Sequence, residues 1–357
     1  MIPPPDRIHP NPLPLTMPKY WMISARNKGG TGDDRDNNGP SYWTSDSSAD
    51  LHNIANWTRV PFSQFRKALT DACAAFPDLP PEQQEDQKHV TLCIHGFNNP
   101  FRGAIDLYTR IYDGLYSGPQ SLGIPILFTW PSKGQVYDYL PDRDEARACA
   151  DDLAGVLSSL YDILNRNQTA AISDPAKACK AKVSIIAHSM GNFITQMALF
   201  HAWKRSNRPL ATSLINQLLM VAADVDNDLF DSGEQVGDGD GEGIANLTSR
   251  VTALYSGRDP VLGASAGLKH FFKRRLGRSG LDRTSGNGPA TPDNVWDTDC
   301  SSFFADNEAD IHGAYFKLDQ YAAVKTLMRE VLRGVDRGVV VNGNVASKNS
   351  WWPNKSV

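Results

Sequence analysis

Ser189 stands in Ala187-His188-Ser189-Met190-Gly191, after an apolar run and before apolar residues at helical spacing (Phe193, Met197, Phe200). This is the layout of a strand turning sharply into a helix with a serine at the tip, where the residues two before and two after must be small. Ala187 and Gly191 meet that condition, although Ala takes the place of the first Gly in G-x-S-x-G. The chemistry open to such a serine is acyl transfer. It needs a base, a carboxylate that orients the base, and two backbone N–H groups aimed at a developing oxyanion. Met190 supplies one N–H from directly after the serine, and Phe97, in the loop "IHGFNN", supplies the other.

With the chain order Ser, acid, His, the base follows the last strand. His312, in "DIHGAYF" ahead of a final amphipathic helix, fits that place. His270 competes from "LKHFFKRR", where a helix bearing aromatic and basic residues makes a solvated or packing histidine the ordinary outcome. Asp259, in "SGRDP" after a strand, leads as the acid; Asp224 and Asp226 in "AADVDNDLF" are the alternatives, each readable also as a cap or turn residue. His95 and Asn98 in the oxyanion loop and Trp130 at a neighbouring strand end are candidate substrate-binding residues. His95 reads more readily as a histidine that holds the loop through neighbouring backbone, and Trp130 equally as core.

The elements that must position these residues form an α/β pattern of short apolar runs alternating with helical segments. Strands are expected at Lys88–Gly96, Ile124–Trp130, Ala181–Ser189, Asn216–Val225 and Ser249–Gly257, with another near Val295 and Trp296. Leu153, Leu157, Leu160 and Leu164 share one face of a helix that covers the sheet, and Val324, Leu327 and Val331 mark the last helix. Upstream, "YWMISARN" and "SYWTSD" flank a turn from Gly29 to Gly39 and read as an antiparallel hairpin at the sheet edge. The stretches Asp231–Gly243 and Gly277–Pro292 read as mobile surface loops, and the basic run Lys269, Lys273, Arg274, Arg275, Arg278, Arg283 as a solvated face.

Composition bounds the rest. The 357 residues are 41% hydrophobic, enough for a sizeable core, and 36 Lys plus Arg against 40 Asp plus Glu give no global case for nucleic acid or an anionic membrane. No segment reaches the roughly 20 apolar residues of a membrane span. Cys73, Cys93, Cys149, Cys179 and Cys300 form no disulfide or zinc pattern, so a cytoplasmic, reducing setting is expected, with no metal. The acidic loop at Asp238 and Asp240 lacks calcium-loop spacing. The expected division is a proline-rich arm (1–18), one domain (19–335) and a tail (336–357) containing Trp351 and Trp352.

In order, the blocks "IHGFNN", "FTWPSKG" with "YDYLPDRDEA", "AHSMGN", "AADVDNDLF", "YSGRDPVL" and "DIHGAYF" resemble those of a largely uncharacterised, mainly bacterial branch of serine esterases and lipases in the α/β-hydrolase superfamily. The resemblance covers roughly Tyr20 to Leu332. It implies a mostly parallel sheet with helices on both faces, Ser189 as nucleophile, Asp259 as acid, His312 as base, a small-molecule ester substrate and no cofactor. Gly257 departs from the pattern, which commonly has a bulkier or more polar residue there. Thioesterase or acyltransferase activity would use the same residues, and a hydrolase-like scaffold without turnover is the alternative from another class.

Overall fold

A computed structural model describes the chain apart from residues 1–16, 47–49, 78, 134–138, 174–180, 206–212, 232–240, 270–272, 283–290, 336–343, 348–349 and 353–357. Most of the proline-rich arm, much of both glycine-rich stretches, Cys179 and His270 lie outside the described residues.

The described strands are β1 (Tyr20–Ser24), β2 (Ser41–Ser45), β3 (Thr58–Val60), β4 (His89–Ile94), β5 (Gly123–Thr129), β6 (Lys182–His188), β7 (Ile215–Val221), β8 (Thr248–Tyr255), β9 (Val295–Asp299), β10 (Asn344–Ser347) and β11 (Ser350–Trp352). They form one sheet in the order β10-β11-β9-β8-β7-β6-β4-β5-β1-β2-β3. Pairing is parallel from β11 through to β1. It is antiparallel for β1/β2 and β2/β3 at one edge and for β10/β11 at the other. The antiparallel N-terminal edge is as expected. The three-residue β3 and the strands past residue 335 had no pattern long enough to declare them.

Between the strands run α1 (Asn27–Gly30, one irregular turn), α2 (Phe62–Ala74), α3 (Phe101–Ile111), α4 (Tyr139–Ser173), α5 (Gly191–Arg205), α6 (Glu242–Leu247), α7 (Pro260–Lys269), α8 (Leu276–Ser279), α9 (Ile311–Ala314) and α10 (Ala322–Arg333). Among the described residues no helix is long and apolar enough to cross a membrane.

The central strands read as continuous apolar runs because both faces of the sheet are covered. In β4, Val90, Leu92 and Ile94 enter one core, with Phe65 of α2, Leu153 and Leu157 of α4, and Phe193 of α5. Cys93 points to the opposite core, with Tyr108 of α3 and Leu327 and Met328 of α10. The period-2 alternation of side chains thus divides each strand between two helical layers. The last helix buries Val324, Leu327, Met328, Val331 and Leu332, and ends on Gly334 at φ 84°. That left-handed cap suits glycine.

The stretch opening at Gly277 is not a surface loop at its start. Gly277 is buried in α8, and a Cβ there would lie 2.1 Å from the Ala222 carbonyl carbon and 2.2 Å from Ala223 N. The end of the acidic stretch is likewise packed: a Cβ on Gly243 would lie 2.6 Å from the Leu199 carbonyl oxygen. Because both obstacles are backbone, Gly277→Ala should destabilise the fold by about 1–3 kcal/mol. Chemical denaturation of the two proteins side by side would measure it, and an unchanged midpoint would contradict this packing.

Candidate active site

The strand order reverses at β4, which has β5 on one side and β6 on the other. Crossovers leave such a position in opposite directions, opening a crevice at the carboxyl ends of the two strands. His95 and Phe97 follow β4, Ser189 follows β6, Asp259 follows β8, and His312 follows β9, so the same sheet edge receives all of them.

Ser189 has φ 51°, the left-handed conformation that a non-glycine residue adopts only under constraint. The constraint is visible on both sides. Its N–H donates to the Val221 carbonyl at 3.0 Å, and its own carbonyl accepts from Asn192 N at 3.0 Å and Asp224 N at 3.2 Å. The two neighbouring chains are then interlocked through glycines: a Cβ on Gly191 would lie 2.6 Å from the His95 carbonyl oxygen, and one on Gly96 2.6 Å from Ser189 Cβ. The elbow and the loop after β4 are therefore in close contact, and any larger residue at either position would separate them. Among the described residues the Ser189 hydroxyl makes no hydrogen bond, so the structure brings His312 to Asp259 but does not join its Nε2 to Ser189.

His312 Nδ1 and Asp259 Oδ2 are 2.7 Å apart, with the carboxylate fully buried and the imidazole 14% exposed. The other Asp259 oxygen accepts from Leu262 N at 3.0 Å, capping α7, so the carboxylate is held at both ends. Arg258 fastens the incoming loop by donating to the carbonyls of Ser301, Phe304, Ala305 and Asp306. Past it, Glu308 accepts from Lys317 at 2.7 Å and Tyr321 at 2.6 Å, contacts that hold its carboxyl down at about 2. The loop carrying His312 is thus tied down on both sides of the histidine.

His188, not singled out by sequence reasoning, connects the elbow to that loop. Its Nε2 lies 3.1 Å from the His312 carbonyl oxygen, so it must donate, and the two rings are 4.8 Å apart. Burial, then the neighbouring His312, push His188 down to about 3, so it stays neutral and adds no positive charge beside the other imidazole. Its position in an apolar strand immediately before the serine was the available signal.

The alternative acids are committed elsewhere. Arg275, fully buried, donates to Asp224 Oδ1 at 2.9 Å and to the Asp226 carboxylate, which also meets Lys273 at 3.1 Å. The basic run is therefore not simply a solvated face: Arg275 lies inside the protein and Arg278 donates to the Asp259 carbonyl. Tyr139 joins this cluster, donating to Asp224 at 2.7 Å, and its ring stands edge-on to Phe97 at 5.3 Å.

Two residues expected to touch substrate do not line the site. Trp130 is fully buried, stacked on His95 at 5.3 Å, and its indole N–H donates to the His95 carbonyl at 2.9 Å. His95 is itself fully buried and holds the loop, the alternative reading for both residues. Depth is what separates a rim aromatic from a core one, and strand period carries no depth. Asn98 is exposed at φ 60°, Phe97 is half-buried and Met190 is fully buried in the elbow. At Gly257 a Cβ would meet only Ser301 Oγ at 3.9 Å, so the space for a larger residue there exists.

Three buried histidines make stability depend on pH. His89, His95 and His188 are all pushed down to about 3, in each case first by burial. The unfolded chain binds these protons from about pH 6.5 downward while the folded chain does not. Stability is thus retained above that pH and falls as pH drops from 6.5 toward 3, at up to about 1.4 kcal/mol per unit for each histidine. Denaturant midpoints at pH 7, 5.5 and 4 should decrease in that order; a flat profile would show these rings to be solvated.

A mostly parallel sheet with a serine elbow at its switch point defines an α/β hydrolase. The chain belongs to the family described as alpha/beta hydrolase of unknown function (DUF900), which it matches over residues 79–287, more than half its length. That stretch contains Ser189 and Asp259 and ends before His312. An uncharacterised protein of Nostoc sp. is 28% identical over 133 residues, and the chain spans about a third of that relative, the match covering 31% of each. Similar solved structures include a Pyrobaculum calidifontis esterase (10% identity, TM-score 0.27, 59% of this chain and 77% of that one). Another is Aspergillus fumigatus lipase B (12% identity, TM-score 0.26, 60% of this chain and 46% of that one).

Proposed function

We propose that this hydrolase cleaves carboxylic esters of small molecules through an acyl-enzyme on Ser189, with His312 as base and Asp259 as its orienting acid. The observation that carries the reading is the 2.7 Å contact between His312 Nδ1 and Asp259, on a loop bonded to the residue preceding the strained serine.

With Nδ1–H held by the carboxylate, Nε2 presents its lone pair and removes the Ser189 proton as Oγ bonds to the ester carbonyl carbon. The carbonyl oxygen becomes an oxyanion received by the N–H groups of Met190 and Phe97. Collapse breaks the bond to the alcohol, which leaves with the proton from Nε2. Water, deprotonated by the same nitrogen, then releases the acid and restores Ser189. Asp259 keeps its negative charge throughout and stabilises the imidazolium.

The purified protein should hydrolyse p-nitrophenyl acetate or butyrate and be labelled by a fluorophosphonate on Ser189, located by peptide mass spectrometry. Absence of both turnover and label would leave the scaffold reading in its place, and label without ester turnover would point to thioesters or acyl transfer. Cys93, Cys149 and Cys300 are free thiols and buried, as the cytoplasmic, reducing setting proposed for the reaction would keep them.

A further inference from the structure

Arg26, just after β1, is fully buried and makes no ion pair with a carboxylate among the described residues. Its partners are uncharged: Thr129 Oγ1 at 2.8 Å from Nε, the Gly32 carbonyl at 3.2 Å from Nη1, and the Asn99 carbonyl at 2.8 Å from Nη2. A guanidinium taken out of water, with the Asp33 and Asp142 carboxylates acting on it only from beyond ion-pair reach, is a costly way to fasten three neutral groups. Burial indeed lowers its pKa to about 10, which still leaves it charged at neutral pH.

The contacts lead in one direction. His95 Nδ1 lies 3.0 Å from the Gly96 carbonyl oxygen and must donate to it. His95 Nε2 must then be the acceptor, receiving Trp130 N–H at 3.2 Å and the Thr129 hydroxyl at 3.1 Å. Thr129, whose hydroxyl donates to His95, accepts from Arg26. Each donor and acceptor is thereby assigned, in the sequence Arg26 Nε–H, Thr129 O–H, His95 Nδ1–H, Gly96 C=O. The Gly96 carbonyl accepts a second bond from Asn99 Nδ2 at 3.2 Å. Its peptide partner is the N–H of Phe97. A carbonyl that accepts two hydrogen bonds withdraws electrons from its own amide nitrogen and strengthens that N–H as a donor. Arg26 also grips the far end of the same loop at Asn99.

We propose that Arg26 is a positioning residue for the oxyanion loop: through Thr129 and His95 it polarises the Gly96–Phe97 peptide, and at Asn99 it fixes where that peptide points. This rests on the serine-esterase reading above, since a donor for an oxyanion matters only where one forms. Its effect should appear in the transition state and be small in the bound ester, whose carbonyl carries little negative charge.

The test compares Arg26→Met, Arg26→Lys and Thr129→Val on p-nitrophenyl butyrate, with inhibition by a phenylboronic acid, whose serine adduct is a tetrahedral anion. Arg26→Met should lower kcat by about tenfold or more, short of the 10²–10³ that losing an oxyanion donor itself costs. KM should hold within about twofold, while boronate inhibition weakens in step with kcat. Arg26→Lys, which keeps the charge, should recover part of the loss. Thr129→Val keeps the cation and severs its link to His95; it should lower kcat with KM unchanged, and it carries the test if Arg26→Met fails to fold. Wild-type kcat in Thr129→Val, equal losses in the Lys and Met variants, or a rise in KM matching the fall in kcat would each overturn the proposal. If the wild-type protein neither turns over ester nor takes the fluorophosphonate, it is the esterase reading that has failed.

Discussion

Ser189→Ala should lower kcat for p-nitrophenyl butyrate by about 10⁴-fold to 10⁶-fold and abolish fluorophosphonate labelling, because no other group at the elbow can form the acyl bond. The fold should be untouched. Every hydrogen bond that holds position 189 in its strained conformation uses that residue's own backbone: its N–H to Val221, its carbonyl to Asp224 N and to both the main-chain and side-chain nitrogens of Asn192. Alanine keeps the Cβ that already sits against Gly96, so neither the φ of 51° nor the contact with the oxyanion loop changes. Loss of turnover with an unchanged melting temperature would therefore report chemistry alone. Residual hydrolysis near the wild-type rate would mean that another residue attacks, and labelling in the variant would locate it.

The parts of this molecule legible in the sequence are those where one physical demand acts on adjacent residues. β4 to β8 are apolar on both faces because helices cover both faces, so their runs declare themselves. The elbow is legible because steric closeness at the turn restricts positions 187 and 191, and the backbone oxygens now seen 2.6 and 2.8 Å from a Cβ at Gly191 are what enforces it. What was hidden depends on partners far apart in the chain. Arg275 looked like one of a series of solvated cations, and only the fold brings Asp224, 51 residues earlier, into contact with it. Trp130 and His95 were placed at the correct edge, but whether Trp130 lines a pocket or packs in the core stayed open in the sequence, and the burial of both residues decides for core packing and for a histidine that holds the loop. Arg26 carried no signal at all, since its partners, Thr129 and Asn99, are ordinary polar residues more than 70 positions away.

Asp259→Asn should reduce kcat by about 10⁴-fold while leaving KM within a few-fold and the fold intact. The substitution is nearly isosteric. The oxygen that caps α7 by accepting from Leu262 N remains, and so does the main-chain carbonyl gripped by Arg278. What changes is the group facing His312 Nδ1. Where the carboxylate accepts a hydrogen bond there, an amide NH₂ can only donate, which drives the imidazole proton onto Nε2, the nitrogen that has to receive the proton of Ser189. It also removes the negative charge that stabilises the imidazolium. Asp226→Asn is the control. That carboxylate faces Arg275 and Lys273, so its loss should lower the denaturation midpoint, by weakening the support of a buried guanidinium, and leave kcat within a few-fold. Measuring both variants for kcat and for stability gives opposite patterns if the orienting acid is Asp259. If instead Asp226→Asn lost activity and Asp259→Asn kept it, His312 would be held by a carboxylate other than the one now 2.7 Å from its Nδ1.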